Sequence, residues 1–148
     1  MATALDGVQP LFRAVVTTAI PEARNLTADA WADLEGIVAR ALSERPPSVQ
    51  RQVRVFLRLL NVIAFATRGR GLARLDDAHR LLLLERLASS RFLLVRRGVW
   101  GVRTLAFMGY YARADAARAI GYRATPAGWS ARSGDRPRPP QSGAGAHR

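Results

Sequence analysis

The chain has no cysteine and no lysine, and only two histidines, His79 and His147. Without thiols there is no disulfide framework, no thiolate nucleophile and no thiolate metal site. His79 is the one histidine outside the C-terminal stretch, too few for a His/carboxylate metal centre. It neighbours Asp76-Asp77, so an oriented general base can be drawn, but those aspartates stand where helix caps belong and the structural reading is preferred. Acids are scarce, 11 against 23 arginines. Long charge-free apolar runs are missing too. Val53 to Thr67 comes nearest to a membrane span, and Arg54 and Arg58 interrupt it. The segment Gly69-Arg70-Gly71-Leu72-Ala73-Arg74 lacks the third glycine of a dinucleotide loop and follows a helical stretch instead of a strand. Neither a Walker-type loop nor a nucleophile elbow occurs. The expectation is a chain that performs no chemistry and holds no cofactor.

The opening MATALDGVQP lacks the basic region and apolar run of a signal peptide, and the twin arginine Arg96-Arg97 lies mid-chain, so a cytoplasmic location is expected. At 148 residues with 49% hydrophobic content, the chain has the length of one domain that buries about two thirds of its unfolded surface. The net charge of +12 is uneven. Residues 1–45 carry four arginines against six acids, whereas residues 46–75 carry six arginines and no acid. Residues 91–122 add six arginines against Asp115 alone. Such a surface points to an acidic partner, a nucleic acid or an anionic membrane, weighed against plainly solvated helix faces. The exclusive use of arginine reads first as codon bias, and second as a supply of forked donors suited to interfaces.

Helical periodicity dominates. Pro10 opens a short helix, LFRAVVTTAI, that Pro21 stops. Thr27 caps a second, with Trp31, Leu34, Val38 and Leu42 on one buried stripe. Pro46-Pro47-Ser48 restarts the chain as a long helix, Val49 to Gly69. There Arg51, Arg54, Arg58 and Asn61 form a wet stripe, and a wide apolar arc through Val53, Phe56, Leu60, Ile63 and Ala64 predicts a central position. Asp76-Asp77 caps AHRLLLLERLA, whose leucine run reads as a buried turn. Ser89-Ser90 opens the principal helix, Arg91 to about Arg113, with Gly98, Gly101 and Gly109 as places of close approach and Gly101 the expected site of overpacking. A last turn ends at Gly121. From Arg123 the Gly, Pro, Ser, Ala and Arg composition predicts a disordered basic tail, 123–148. The predicted fold is all-α: one bundle of about five helices over residues 1–122.

One stretch carries more than periodicity. A leucine-rich helix with Leu84 and Leu87 precedes SSRFLLVRRGVWGVRTLAFMGYYARADAARAIGY, with Ser90, Gly98, Leu105, Gly109-Tyr110-Tyr111 and Ala119-Ile120-Gly121-Tyr122 in order. Over about residues 30–122 this pattern resembles the small subunit of gluconate 2-dehydrogenase and related flavin-dependent dehydrogenases of the GMC type. The resemblance implies a helical, non-catalytic subunit that binds and stabilises an FAD-carrying large subunit in a hetero-oligomer. The sequence differs from exported members in lacking a twin-arginine leader and cysteine, and Arg123-Ala124 replaces the usual Gly-Pro after Gly-Tyr. Arg96, Arg97, Trp100, Arg103, Tyr110, Tyr111 and Tyr122 are the expected partner contacts, being residue types enriched at interface hot spots. The alternative is a free-standing basic helical protein that binds nucleic acid through sequence-independent phosphate contacts; no helix shows a short polar recognition pattern.

Overall fold

The computed structural model describes residues 4–119 and 121; the expected tail 123–148 and Tyr122 lie outside them. Among the described residues six α-helices occur in the order α1 Gln9–Ala19, α2 Ala28–Ser43, α3 Pro47–Arg68, α4 Asp77–Ala88, α5 Leu93–Tyr111 and α6 Ala114–Ala119. Short 3-10 turns at Pro21–Asn25 and Leu72–Arg74 link α1 to α2 and α3 to α4, and the described residues contain no strand. The chain is all-α.

Sequence sets most helix ends. Pro10 sits in the first turn of α1, where its missing N–H costs nothing. Thr27 is extended and its Oγ1 accepts the Ala30 N–H at 3.2 Å, the expected cap of α2. Gly69 takes a left-handed φ of +67° and donates its N–H to the Phe65 carbonyl at 2.8 Å, closing α3. The start of α5 falls later than expected: Ser90 Oγ accepts the Phe92 N–H at 3.1 Å, and the helix begins at Leu93. Its 19 residues span about 28 Å.

The core is built around α1 and α5. On α1, Phe12, Ala14, Val15 and Val16 are all buried, and the helix packs against α3, α4 and α5. On α5, Val99, Val102, Ala106 and Gly109 form a narrow inner face of small residues against α1, α2 and α4. The α2 stripe of Trp31, Leu34, Val38 and Leu42 is buried as its spacing predicts. Residues before α1 join this core as well: Leu5 and Val8 are essentially inaccessible. Each such side chain contributes on the order of 1.5–3 kcal/mol relative to exposure.

Three expectations need correction. Helix α3 is peripheral, since only Leu57, Leu60 and Ala64 of its 22 residues are fully buried. Asn61 is not on a wet stripe; it is half-buried and its Oδ1 accepts the Leu72 N–H at 2.9 Å, pinning the 3-10 turn onto α3. The leucine run of α4 is only half interior: Leu83 and Leu84 are buried, while Leu81 and Leu82 face solvent. Its deepest polar group is Arg80. That side chain donates to the Ala14 and Leu75 carbonyls at 3.3 and 3.0 Å and to Asp77 at 2.9 Å, tying α4 to α1. Burial lowers the Arg80 pKa from its ordinary value, with Asp77 acting in the opposite sense.

Candidate docking surface

The outer faces of α3 and α5 carry apolar side chains where a one-sided helix would carry polar ones. On α3, Val55, Leu59, Val62 and Phe65 recur at steps of three and four, so they form one row turned away from the core. Phe65 is 64% exposed. A parallel row on the same helix, Arg51, Arg54 and Arg58, lies beside it. On α5, Leu93, Trp100, Phe107 and Tyr111 share the face opposite Val102 and Ala106, and Leu94, at 83% exposure, projects from the first turn. Scattered exposed leucines need no explanation, whereas contiguous rows on adjoining helices mark an interaction surface.

Between the N-terminal halves of α3 and α5 runs a groove of about 620 Å³. Val53, Phe56, Leu94, Gly98 and Val102 make it apolar, and Arg51 and Arg97 supply its charge. The floor forms because Phe56 packs on the bare backbone of Gly98: a Cβ there would lie 2.3 Å from Phe56 Cε2. Gly101 also lines the groove, but a Cβ on it would meet nothing within 4 Å. The expectation of a close approach at Gly101 is therefore wrong. The tight positions are Gly98 and Gly109, the latter against Val38 Cγ2 at 2.7 Å.

The predicted contact residues divide into two groups. Arg96, Arg97 and Trp100 are exposed near the groove end of α5. Further along, the Arg103 guanidinium lies 5.2 Å from the Trp100 ring centroid, and Tyr111 stacks on Phe107 at 6.3 Å. Tyr110 is half-buried, edge-on to Tyr111 at 5.1 Å, with the Arg113 guanidinium over its ring at 4.6 Å. Arg113 is 4% exposed and bonds Asp115 at 3.2 Å. The Ala116 backbone N–H, and secondarily Arg113, hold the Asp115 carboxyl below its ordinary pKa. Tyr110 thus helps close the helix end, while Trp100 and Tyr111 face outward. The rows on α3 and the leucines Leu81, Leu82 and Leu94 were missed as surface features. Their only signal was an apolar arc wider than one buried stripe requires.

A second hollow, of about 410 Å³, gathers Arg13, Arg24 and Arg80 beside Thr17 and Trp31. Its cations are already engaged: Arg13 pairs with Glu35 and stacks 5.1 Å over Trp31, and Arg24 and Arg80 share Asp77. The bond to Glu35 raises the Arg13 pKa. His79 forms an exposed pair with Asp76, whose side chain turns to the imidazole and makes no cap bond to the backbone. Among the described residues no cluster of three or more metal-ligating side chains occurs, and no helix is long and apolar enough to cross a membrane.

Compared with protein-family models, curated proteins and solved structures, the chain matches none.

Proposed function

We propose that the chain is a non-catalytic helical subunit that binds and stabilises a cytoplasmic, FAD-dependent oxidoreductase of the GMC type. The observation that carries the partner reading is the exposed apolar surface of α3 and α5, bordered by arginines. Exposed Val, Leu, Phe and Trp side chains in rows lose their contact with water when a partner covers them, which drives association. Trp100, Tyr111 and the flanking arginines are of the types that dominate binding energy. The flavoprotein as partner rests on the sequence pattern from Ser89 through Tyr122.

Co-expression with a GMC-type flavoprotein tests it. The expected result is a yellow complex that survives purification, with higher yield of folded large subunit than when that subunit is made alone. The small chain purified by itself carries no stoichiometric flavin absorbance. Salt-sensitive retention of nucleic acid, with no flavoprotein retained, would replace this reading by the basic nucleic-acid-binding one.

A further inference from the structure

We propose that the groove between α3 and α5 seats an acidic amphipathic helix from a partner protein; the inference rests on the partner reading and adds the place and chemistry of contact. The groove is concave and apolar, formed by Val53, Phe56, Leu94 and Val102, with unfilled space over Gly101. Beyond their first turns its walls are the bodies of two α-helices, whose backbone groups bond within the helices themselves. An extended segment would bury its own N–H and C=O groups against these walls without partners. A helix brings its backbone already satisfied and offers side chains at steps of three and four to the floor. From Leu94 to Val102 the wall runs about 13 Å, which matches two to three helical turns.

Charge selects the flanks of that helix. Arg51 on the α3 wall and Arg97 on the α5 wall line the groove. Neither has an acidic side chain within 4 Å among the described residues, whereas Arg13, Arg24, Arg80 and Arg113 all do. A second copy docking about a two-fold axis would set this patch against itself, arginine facing arginine. Aspartate or glutamate on both sides of the incoming apolar stripe resolves the excess.

The full chain is titrated against two labelled helical peptides of about three to four turns. Both carry leucines on one stripe; one bears glutamates on its flanks and the other lysines. By fluorescence anisotropy the glutamate peptide should saturate and bind at least about tenfold more tightly than the lysine peptide, weakening as salt rises. Arg97→Glu should weaken it about tenfold. Gly101→Leu fills the open groove and should abolish binding, while circular dichroism shows the fold intact and thermal stability undiminished. Equal binding of the two peptides, no binding of either, or unchanged binding by Gly101→Leu would overturn the proposal. So would retention on phosphatidylglycerol vesicles, or a concentration-dependent dimer seen by light scattering, if Gly101→Leu removes it and the peptides do not bind. A flavoprotein complex that tolerates Gly101→Leu sinks the groove and spares the subunit reading. Peptide binding with no flavoprotein complex supports the groove and removes the flavoprotein as its occupant.

Discussion

Three glycines on one helix offer a controlled measurement of close packing. Gly98, Gly101 and Gly109 all lie within α5, so replacing any of them with alanine recovers about 0.8–1 kcal/mol of helix propensity. What differs is the space. At Gly101 the new methyl meets nothing within 4 Å, so Gly101→Ala should stabilise the chain by about that full amount. At Gly109 it would lie 2.7 Å from Val38 Cγ2 and 3.2 Å from two carbons of Leu34, both side chains fully buried in α2. Neither can swing into solvent, so α2 and α5 must separate, at a cost of about 1–3 kcal/mol. Gly98→Ala meets the Phe56 ring at 2.3 Å, but that ring borders the open groove and can rotate into it, so its effect falls between the other two. Because propensity cancels, the difference between Gly109→Ala and Gly101→Ala isolates the steric cost. Urea unfolding followed by circular dichroism reads it directly, as a separation of about 1–3 kcal/mol. Equal stability of the two variants, or destabilisation by Gly101→Ala, would refute the packing described for α5.

Arg80→Ala should destabilise by about 2–3 kcal/mol, since charge-assisted bonds from α4 to the Ala14 carbonyl of α1 and to the Leu75 carbonyl are lost together. Arg80→Lys should recover little of this in urea melts, because a point ammonium cannot reproduce the guanidinium fork. Asn61→Ala leaves the Leu72 N–H without its acceptor and should cost about 1–2 kcal/mol, with faster amide exchange at Leu72 as its local signature. Asp115 has a folded-state pKa below its unfolded value, so its contribution is present above the unfolded value and lost as pH falls through the folded one. Acid titration followed by nuclear magnetic resonance should therefore show the Ala116 amide losing its carboxylate acceptor at a pH below the ordinary carboxylate range, and Asp115→Asn should remove that step.

The helices were legible in the sequence because their punctuation is local. Pro10, Pro21, Thr27, the Pro46-Pro47 pair and Gly69 act on their own backbone neighbours, and each marks a boundary seen in the fold. The α2 stripe was equally plain, because one apolar row with polar flanks has one reading. Asn61 and Arg80 were not legible. Asn61 reaches a partner 11 positions away, and the bond by which Arg80 is tied to α1 spans 66; the near partners of Arg80, Leu75 and Asp77, do not distinguish it from a solvated side chain in an i,i+3 pair. The residues before α1 escaped for a related reason. Ala4, Leu5 and Val8 follow no helical period long enough to register, yet they enter the core through turns.

Helix α3 was legible as an element and misread in place, and the cause bears on function. Apolar residues around most of a helix permit two arrangements: burial on all sides, or burial on one side with the other kept for a partner. The wide arc of α3 reads as a central helix with a single wet stripe, nearer the first. What decides the matter is the supply of neighbours, and the sequence does not state which surfaces α1 will cover. Helix α1 buries Phe12, Ala14, Val15 and Val16, keeps Gln9, Arg13 and Thr17 in one polar row, and takes a central place beside α5, leaving α3 at the margin with Val55, Leu59, Val62 and Phe65 uncovered. The arginines then acquire a second meaning. Arg51, Arg54 and Arg58 keep an apolar helix hydrated while it stands free, and they border the same residues once they are covered. A basic border also favours an acidic partner over self-association, as like charges across a shared apolar face repel. The excess of apolar residues on α3 and its arginines Arg51, Arg54 and Arg58 are thus two parts of one surface.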